Sequence, residues 1–582
     1  MKGKTKPTNQ RAKKPAPNLI RWRFVTVCFC ISLAMVALIA RAAFIQVIEP
    51  DRLLQEGDMR SVRVKALHSA RGIITDRNGE SLAVSVPVEA VYVDPVTVFK
   101  NGGLKDIERW YALADVLGID RQAMVNRIER NKTKRFIYLQ RQVGPAVANY
   151  VSGLRLPGIG LNDESRRFYP AGEVSAHLVG VTGIDGRGLE GIERGYDGWL
   201  SGEPGRRTVR KDRYGRVVEV ISKEAKEEGK PLQLSIDQRL QAISYRAIKQ
   251  AVADYRATSG SLVMVDVRTG EVLAMVNAPS YNPNNRSDLK SFKMRNRAIT
   301  DVFEPGSTIK PLVVLAALEN GVADESTIID TGNGVMSIGG ARVRDVSKVG
   351  EANLRKILQK SSNIGVSKLS LSMPVEALLG LYSSFGIGDA TGVSLVGESY
   401  GLYPNRRRWS DFERATLSFG YGLSITPSQL ARAYAVLGAE GVNRPLSILK
   451  TESVVPGKQV ASQENTRKVL DMLESVTQEG GSARRAAVDG YRVGAKTGTA
   501  KVAVAGGYGD EYIGYTAGIA PLSEPRIAMV VVINEPQGDK YYGGQVAAPV
   551  FSDVMKSALQ ILNIAPDAQQ PFLQIANTDN RN

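Results

Sequence analysis

The sequence predicts an α/β domain that follows a β-rich module and a single N-terminal membrane helix. Apolar, strand-like runs open and close residues 231–565, with helical patterns between them, which favours helices packed against a sheet. Residues 50–230 are polar and interrupted by glycines, and residues 24–40 carry no charge. A chain of 582 residues is long enough for two or three domains, each with its own core.

The N-terminus has the composition of a membrane anchor. Residues 1–48 contain nine Lys or Arg and no acid, about half of the formal net charge of +17. We expect a cytoplasmic basic tail over 1–23 and a transmembrane anchor over 24–45. A cleaved signal peptide is the alternative, since Ala40-Arg41-Ala42 crudely resembles a cleavage site. The long apolar run and the charge of Arg41 argue against cleavage, so the rest of the chain is expected outside the membrane.

Residues 50–230 are predicted to form an elongated β-rich domain. Two β-like runs flank Asn78-Gly79, a dipeptide that favours tight hairpins. The mixed-charge segment Ser222–Pro231 is a plausible linker to the next domain.

The domain predicted over 231–565 begins with a strand end and a helix at Leu234–Ile243. A hairpin is expected around Arg268-Thr269-Gly270, because apolar runs flank this short turn. Helical patterns fill much of residues 308–320, 351–385 and 426–438, and Arg526–Asn534 is predicted to be a buried strand. Residues 566–582 are expected to be a flexible tail.

The residue types available exclude several kinds of chemistry. Both cysteines, Cys28 and Cys30, fall in the apolar run, and the histidines are His68 and His177. A disulfide framework, a zinc cluster and a cysteine nucleophile are therefore excluded from the external domains. We predict no metal and no cofactor, and interpret both histidines as structural, although a Ser-His-Asp triad is possible on paper. No phosphate-binding G-x-x-x-x-G-K-[ST] sequence occurs. About half of the excess positive charge lies in residues 1–48, where a membrane anchor explains it, so the net charge does not indicate nucleic-acid binding.

With histidine nearly excluded, a lysine one helical turn after a serine is the natural base for a serine nucleophile. Ser-x-x-Lys occurs three times, beginning at Ser287, Ser307 and Ser447. Context favours Ser307, which follows Glu304-Pro305-Gly306 and precedes an apolar helical run. The free backbone N–H groups and the dipole at the start of a helix stabilise negative charge, which would develop on a reacting serine there.

Two further motifs follow in order. Ser361-Ser362-Asn363 opens a helical segment, and Lys496-Thr497-Gly498-Thr499-Ala500 lies in a strand-like run. In isolation, Ser361 and Asn363 are ordinary helix-capping residues and Lys496 a surface lysine. The ordered set of three motifs favours catalysis.

These motifs carry a resemblance to a known family. Ser307-Thr308-Ile309-Lys310, Ser361-Ser362-Asn363 and Lys496-Thr497-Gly498 match the signature motifs of penicillin-binding proteins and serine β-lactamases. The chain is similar to class B penicillin-binding proteins, in particular the division-specific penicillin-binding protein 3 type of Gram-negative bacteria. That likeness rests on S-Y-N-P-N (280–284), R-N-R (295–297), E-P-G-S-T-I-K-P and S-F-G-Y-G-L (418–423). R-G-I-I-T-D-R-N-G (71–79) resembles the N-terminal module of that class, so residues 50–230 are called the pedestal.

The resemblance implies a serine-type D,D-transpeptidase, of the D-Ala-D-Ala carboxypeptidase class, that cross-links peptidoglycan. Ser307 would attack the carbonyl between the two terminal D-alanines of a stem peptide. Lys310 would remove its proton while neutral, its pKa depressed by burial and by the cation of Lys496. Ser361 would pass a proton to the leaving D-alanine, and Asn363 would hold Lys310 and the substrate amide.

The third motif would bind the substrate. Lys496 would add positive potential, and Thr497 and Thr499 would bind the terminal carboxylate. Gly498 would leave room for an extended substrate to lie along the strand. In the family the backbone N–H groups matching Ser307 and Thr499 form the oxyanion hole.

The resemblance also implies the setting of the enzyme. It predicts a penicillin-binding transpeptidase or serine β-lactamase-like fold, on a pedestal of the penicillin-binding protein dimerisation type, in the bacterial inner membrane with a periplasmic catalytic domain. Expected partners are stem peptides ending in D-Ala-D-Ala, β-lactams, a glycan-polymerising SEDS glycosyltransferase and other division proteins. The alternatives are a β-lactam-binding sensor or hydrolase, a lateral-wall enzyme of the same class, and a non-catalytic division scaffold.

Overall fold

A computed structural model describes residues 21–67, 69–212, 217–504 and 506–568. Within these residues the chain divides into two compact units. The smaller unit draws on 1–67 and 204–226, and the larger on 68–203 and 227–582. Most of the predicted tails over 1–23 and 566–582, together with His68, lie outside the described residues.

The N-terminal part of the chain alternates short helices and strands. Its helices are α1 (Arg21–Ala43), α2 (Pro50–Ser61), α3 (Pro95–Lys100), α4 (Ile107–Leu117), α5 (Arg121–Glu129), α6 (Pro145–Gly153), α7 (Ala176–Val179), α8 (Gly191–Gly195) and α9 (Asp197–Leu200). Its strands are β1 (Val62–Leu67), β2 (Ile74–Thr75), β3 (Ser81–Val93), β4 (Ile137–Val143), β5 (Ile159–Phe168), β6 (Gly205–Lys211), β7 (Val217–Glu224) and β8 (Leu232–Gln233).

The C-terminal part contains most of the long helices. They are α10 (Gln238–Asp254), α11 (Ser291–Met294), α12 (Arg297–Thr300), α13 (Lys310–Glu319), α14 (Leu354–Lys360), α15 (Asn363–Leu371), α16 (Val375–Ser384), α17 (Asp411–Ser418), α18 (Pro427–Gly438), α19 (Gln463–Thr477), α20 (Gly543–Val546) and α21 (Ala548–Ile561). The strands are β9 (Ser259–Asp266), β10 (Val272–Ala278), β11 (Ile328–Asp330), β12 (Val335–Ile338), β13 (Ala341–Arg344), β14 (Glu351–Asn353), β15 (Val442–Asn443), β16 (Lys458–Gln459), β17 (Gly494–Val504), β18 (Gly507–Ala520) and β19 (Ile527–Asn534).

The smaller unit contains the apolar N-terminal helix. The helical segment Arg21–Val47 is 27 residues long and its side chains are exposed. A segment of this length and composition fits a membrane anchor, since about 20 residues cross the hydrocarbon core. In the same unit, β1, β6 and β7 form an antiparallel sheet in that order. Ser222 pairs with Thr208 in this sheet, so the predicted linker begins as the end of β7.

The central sheet of the larger unit is antiparallel, in the order β10-β9-β19-β18-β17. Residues Ile527 to Ile533 of β19 are all buried, because α10, α18 and α21 pack against the sheet. A strand without water on either side has a continuous apolar sequence. The predicted strand at Arg526–Asn534 is therefore confirmed, as is the hairpin around Gly270, which β9 and β10 form.

The glycine-punctuated R-G-I-I-T-D-R-N-G motif joins the pedestal to the catalytic half. β2 and β3 form the predicted hairpin, with Gly79 at φ +91° in its turn. The buried carboxylate of Asp76 accepts the backbone N–H of Asn78 at 2.7 Å and that of Gln238 at 3.0 Å. Since Gln238 is the first residue of α10, this aspartate stabilises both the turn and the N-terminus of the helix.

The predicted helical regions are confirmed with finer divisions. The pattern over 308–320 corresponds to a 3₁₀ turn, Gly306–Ile309, followed by α13. The region 351–385 contains strand β14 and then α14, α15 and α16. The breaks between these helices are informative, because the second motif occupies the first of them.

Candidate active site

The candidate nucleophile Ser307 lies in the 3₁₀ turn that precedes α13. Gly306 has φ +47°, and a Cβ there would come within 2.5 Å of the hydroxyl of Tyr515. Only glycine therefore fits the residue before the serine. Ser307 is partly exposed, whereas Thr308 and Lys310 are fully buried. The turn thus presents one hydroxyl to solvent and directs the lysine inward.

Lys310 contacts the first and the last residue of the second motif. Its Nζ donates to the carbonyl oxygen of Ser361 at 2.7 Å, to Ser361 Oγ at 3.1 Å and to Asn363 Oδ1 at 2.7 Å. Burial, and then the charge of Lys496, hold the pKa of Lys310 well below its usual value, while Asp345 acts in the opposite direction. This environment favours the neutral amine of Lys310 over the ammonium form.

The second motif bridges two helices. Ser361 ends α14 in the left-handed conformation, with φ +57°, and Ser362 caps α15 by accepting the N–H of Gly365 at 2.9 Å. The capping role proposed as an alternative for Ser361 and Asn363 thus belongs to Ser362. The side chains of Ser361 and Asn363 contact Lys310 instead.

Asp345 holds this motif in place and was not found from the sequence. Its carboxylate accepts the N–H groups of Asn363 at 2.5 Å and Ile364 at 3.0 Å, and the hydroxyl of Ser362 at 2.6 Å. It therefore anchors the start of α15, where free N–H groups attract negative charge. An aspartate in a loop 18 residues upstream of Asn363 gives no local signal in the sequence.

The third motif lies on β17, the edge strand of the central sheet. Lys496 is fully buried, and its Nζ donates to the carbonyl of Thr497 at 3.2 Å and to Ser482 Oγ at 3.4 Å. Burial lowers the pKa of Lys496 to about 7. Thr499 Oγ1 accepts the N–H of Gly543 at 2.9 Å, which leaves its own hydroxyl hydrogen free to donate.

The structure gives a second reason for the glycine at position 498. A Cβ there would lie 2.0 Å from Cε2 of Tyr515 and 2.5 Å from its Cζ. Tyr515 is fully buried on β18, where it pairs with Gly498 of β17. The missing side chain therefore makes room for a tyrosine of the protein's own core.

Tyr515 connects the first and third motifs. Its ring lies against Gly498, and its hydroxyl donates to the backbone carbonyl of Glu304 at 2.8 Å, three residues before Ser307. The carboxylate of Glu304 accepts the N–H of Gly422 at 3.0 Å and the hydroxyl of Tyr508 at 2.9 Å. The serine turn is thus fixed to the β17–β18 hairpin through Tyr515 and Tyr508.

All three motifs meet in one cleft of about 700 Å³. Lys310 and Lys496 lie behind its wall and contact residues that line it. The lining includes the predicted residues Ser307, Ser361, Asn363, Thr497, Gly498 and Thr499, the aromatic residues Phe419, Tyr421 and Tyr542, and the cations Lys360, Arg484 and Arg485.

The competing serines and the histidine lie elsewhere. Ser287 donates to Asn285 at 2.8 Å and Ser447 to the carbonyl of Leu449 at 2.8 Å, and neither lines the cleft. His177 is buried, with Nε2 2.6 Å from the carbonyl oxygen of Lys293, and it lines a different cavity. Its surroundings fit the structural role that the sequence suggested.

This arrangement can perform acyl transfer. The partly exposed hydroxyl of Ser307 can serve as nucleophile, and buried Lys310, with its lowered pKa, can serve as base. Ser361, which contacts Lys310, can carry the proton onward. The edge strand β17 offers backbone groups to an extended peptide.

Comparisons with known proteins agree with this chemistry. Residues 260–556 match the penicillin binding protein transpeptidase domain, and residues 66–234 the penicillin-binding protein dimerisation domain. The peptidoglycan D,D-transpeptidase FtsI of Escherichia coli K12 is 54% identical, over 98% of this chain and 96% of the relative. The probable peptidoglycan D,D-transpeptidase PenA of Neisseria gonorrhoeae is 39% identical, over 96% of each chain.

Solved structures share the fold. A peptidoglycan synthetase of Bifidobacterium adolescentis aligns with a TM-score of 0.69 at 27% identity, covering 88% of this chain and 98% of its own. The transpeptidase domain of Burkholderia pseudomallei penicillin-binding protein 3 aligns with a TM-score of 0.54 at 40% identity, covering 58% of this chain and 98% of its own.

The fold and the cleft define a penicillin-binding protein with a serine acyl-transferase domain. The matches extend over nearly the whole chain, including the pedestal. The chain belongs to the family of peptidoglycan D,D-transpeptidases that includes FtsI.

Proposed function

We propose that this protein cross-links septal peptidoglycan through an acyl-enzyme on Ser307. The observation that carries the proposal is the placement of Lys310, buried one turn after Ser307 and in contact with Ser361 and Asn363. Residues of all three motifs line the same cleft or contact residues that line it.

Acylation would begin with proton transfer from Ser307 to the neutral amine of Lys310. Ser307 Oγ attacks the carbonyl of the penultimate D-alanine, and the C–N bond to the terminal D-alanine breaks. Lys310 is 3.1 Å from Ser361 Oγ, so the proton can pass through this hydroxyl to the leaving amine. The N–H groups of Ser307 and Thr499 would stabilise the oxyanion, each such donor contributing about 2.7–4 kcal/mol.

The terminal carboxylate of the donor peptide would bind at Thr497 and Thr499. Lys496 supplies positive charge beneath the strand while it is protonated, and its pKa is about 7. Thr499 Oγ1 accepts the N–H of Gly543, and its hydroxyl hydrogen can donate to a carboxylate.

The N-terminal helix suggests the cellular arrangement. The eight basic residues before Phe24 favour a cytoplasmic N-terminus and a periplasmic catalytic domain. The similarity to FtsI supports work at the division septum, with glycan polymerisation supplied by a SEDS glycosyltransferase partner.

Fluorescent-penicillin labelling of the full-length chain in detergent tests the nucleophile. The parent should retain label on a denaturing gel, and Ser307→Ala should lose it. Lys310→Ala should slow labelling by about 10²–10⁴-fold, the range for loss of a general base. Ser287→Ala is the matched control, since it alters another Ser-x-x-Lys sequence outside the cleft.

The same assay separates the alternatives. Label that forms on Ser307 and is released within minutes would indicate a β-lactam hydrolase. A folded parent that takes no label would indicate a scaffold and contradict the proposed function. A growth assay under depletion of the division transpeptidase distinguishes septal from lateral-wall work.

A further inference from the structure

The cleft has a strongly basic end that the transfer chemistry described above does not use. Arg484 and Arg485 lie on a 3₁₀ turn, Arg484–Ala486, in the loop between α19 and β17, and both are exposed. Together with Lys360 they line the cleft, whose lining among the described residues includes no Asp or Glu. Neither guanidinium has a carboxylate partner in the part of the chain that the structure describes. Two cations are therefore available to a ligand.

The loop that carries them is anchored before the two arginines and is packed against the core on both sides of them. Ala483 and Ala486 are fully buried, and the N–H of Ala483 donates to the carbonyl of Val476 at 2.9 Å. Earlier in the same loop, Nζ of Lys360 donates to the carbonyl of Gly480 at 2.7 Å. A rigid backbone lowers the entropy that is lost when the two side chains bind a ligand.

The position of the loop identifies which ligand can reach it, given the proposed function. Ser482 is 3.4 Å from Nζ of Lys496, so the loop lies at the Lys496 end of β17. The donor peptide would end there, with its terminal carboxylate on Thr497 and Thr499. The D-alanine would leave from this end of the cleft, so an acceptor that takes its place at the ester would pass beside the arginines.

We propose that Arg484 and Arg485 bind carboxylates of the acyl acceptor, so that this enzyme selects an acidic peptide as acceptor. Guanidinium groups bind carboxylates with two parallel, charge-assisted hydrogen bonds. A cleft lined by one sign of charge also raises the local concentration of a ligand of the opposite sign.

The step concerned is the second half of the reaction. The amine of the acceptor attacks the carbonyl carbon of the Ser307 ester, a C–N bond forms, and the bond from that carbon to Oγ breaks. The amine proton passes through Lys310 to Oγ, which restores the serine. Arg484 and Arg485 touch neither bond and act by holding the acceptor near the ester.

The test compares transfer with acylation in the full-length protein in detergent micelles. A thioester D-alanyl donor forms the acyl-enzyme, and two acceptors compete with water. One is a peptide amine with free side-chain carboxylates, and the other is the same peptide with those carboxylates amidated. The ratio of aminolysis to hydrolysis is read by mass spectrometry for the parent, for the double variant Arg484→Ala/Arg485→Ala, and for Arg246→Ala.

In the double variant we expect aminolysis by the acidic acceptor to fall about threefold to tenfold, since two exposed ion pairs are removed. Aminolysis by the amidated acceptor and acylation by fluorescent penicillin should be unchanged, as they should in Arg246→Ala, an exposed arginine on α10. An equal loss with both acceptors, or no loss with either, would overturn the proposal. Slower acylation by the donor would instead assign the arginines to the donor peptide and also overturn it. Failure of acylation in the parent itself would reject the proposed function, which is a separate result.

Discussion

Replacing Gly498 with alanine tests whether Tyr515 sets the spacing between the serine turn and β17. The new Cβ would lie 2.0 Å from Cε2 of Tyr515. The two atoms must move apart by about 1.4 Å to reach an ordinary contact distance of 3.4 Å. Tyr515 cannot retreat easily, because it is fully buried and its hydroxyl is bonded to the carbonyl of Glu304. We therefore expect β17 to move relative to Ser307.

A displacement of about 1 Å in a catalytic site lowers rates by about 10²-fold. Gly498→Ala should thus reduce the second-order rate constant of acylation by a fluorescent penicillin about 100-fold. The overpacking should also lower the free energy of unfolding by about 1–3 kcal/mol. Stopped-flow fluorescence and thermal unfolding measure the two effects. Gly380→Ala is the control, since Gly380 lies within α16 with no atom within 4 Å of its added Cβ.

A second substitution separates this explanation from substrate access. Tyr515→Leu removes the ring with which the new Cβ collides. The acylation rate constant of Gly498→Ala/Tyr515→Leu should therefore be higher than the value expected if the two single losses multiplied. Acylation by Gly498→Ala within twofold of the parent would refute the reasoning. So would a double variant in which the two losses simply multiply, because the glycine would then serve the substrate and not the tyrosine.

Three further predictions concern ionisable groups. Asp345→Asn should lower the plateau of the acylation rate, because α15 loses its anchor. It should also shift the acid limb of the rate–pH profile to lower pH, because the charge of Asp345 raises the pKa of Lys310. Lys496, with its pKa of about 7, is cationic below that pH. The dissociation constant of a penicillin carboxylate should therefore increase as pH rises through about 7, and Lys496→Met should abolish this dependence in saturation kinetics. Burial lowers the pKa of His177 from 6.5 to about 4, so only the unfolded chain binds a proton between these values. Stability should then fall by up to about 3 kcal/mol as pH decreases from 6.5 to 4, and denaturant titrations of His177→Gln should lack this loss.

Local patterns in the sequence predicted much of the fold. The hairpins at Gly79 and Gly270 were predictable because a turn and its flanking strands are neighbours in the chain. The buried strand β19 was predictable because it has water on neither face. In each case the interactions that determine the structure lie within a few residues.

The parts of the site that escaped prediction depend on distant contacts. Asp345 reaches Asn363 from another loop, and Tyr515 reaches Gly498 from the neighbouring strand. In the sequence, Arg484 and Arg485 cannot be distinguished from an ordinary exposed arginine pair. Their position in the lining of the cleft is visible only in the structure. The motifs identified the chemistry, and the three-dimensional neighbours explain how it is held.

The two fully buried lysines have an effect on how variants of this enzyme would fare under artificial selection. An amine removed from water opposes folding whether it is neutral or charged. On the proposed mechanism, an apolar residue at position 310 or 496 would relieve that opposition and abolish turnover. A library ranked by yield or heat resistance would therefore accumulate well-behaved, inactive proteins at these two positions. Only a screen that demands a growing cell wall would keep both lysines.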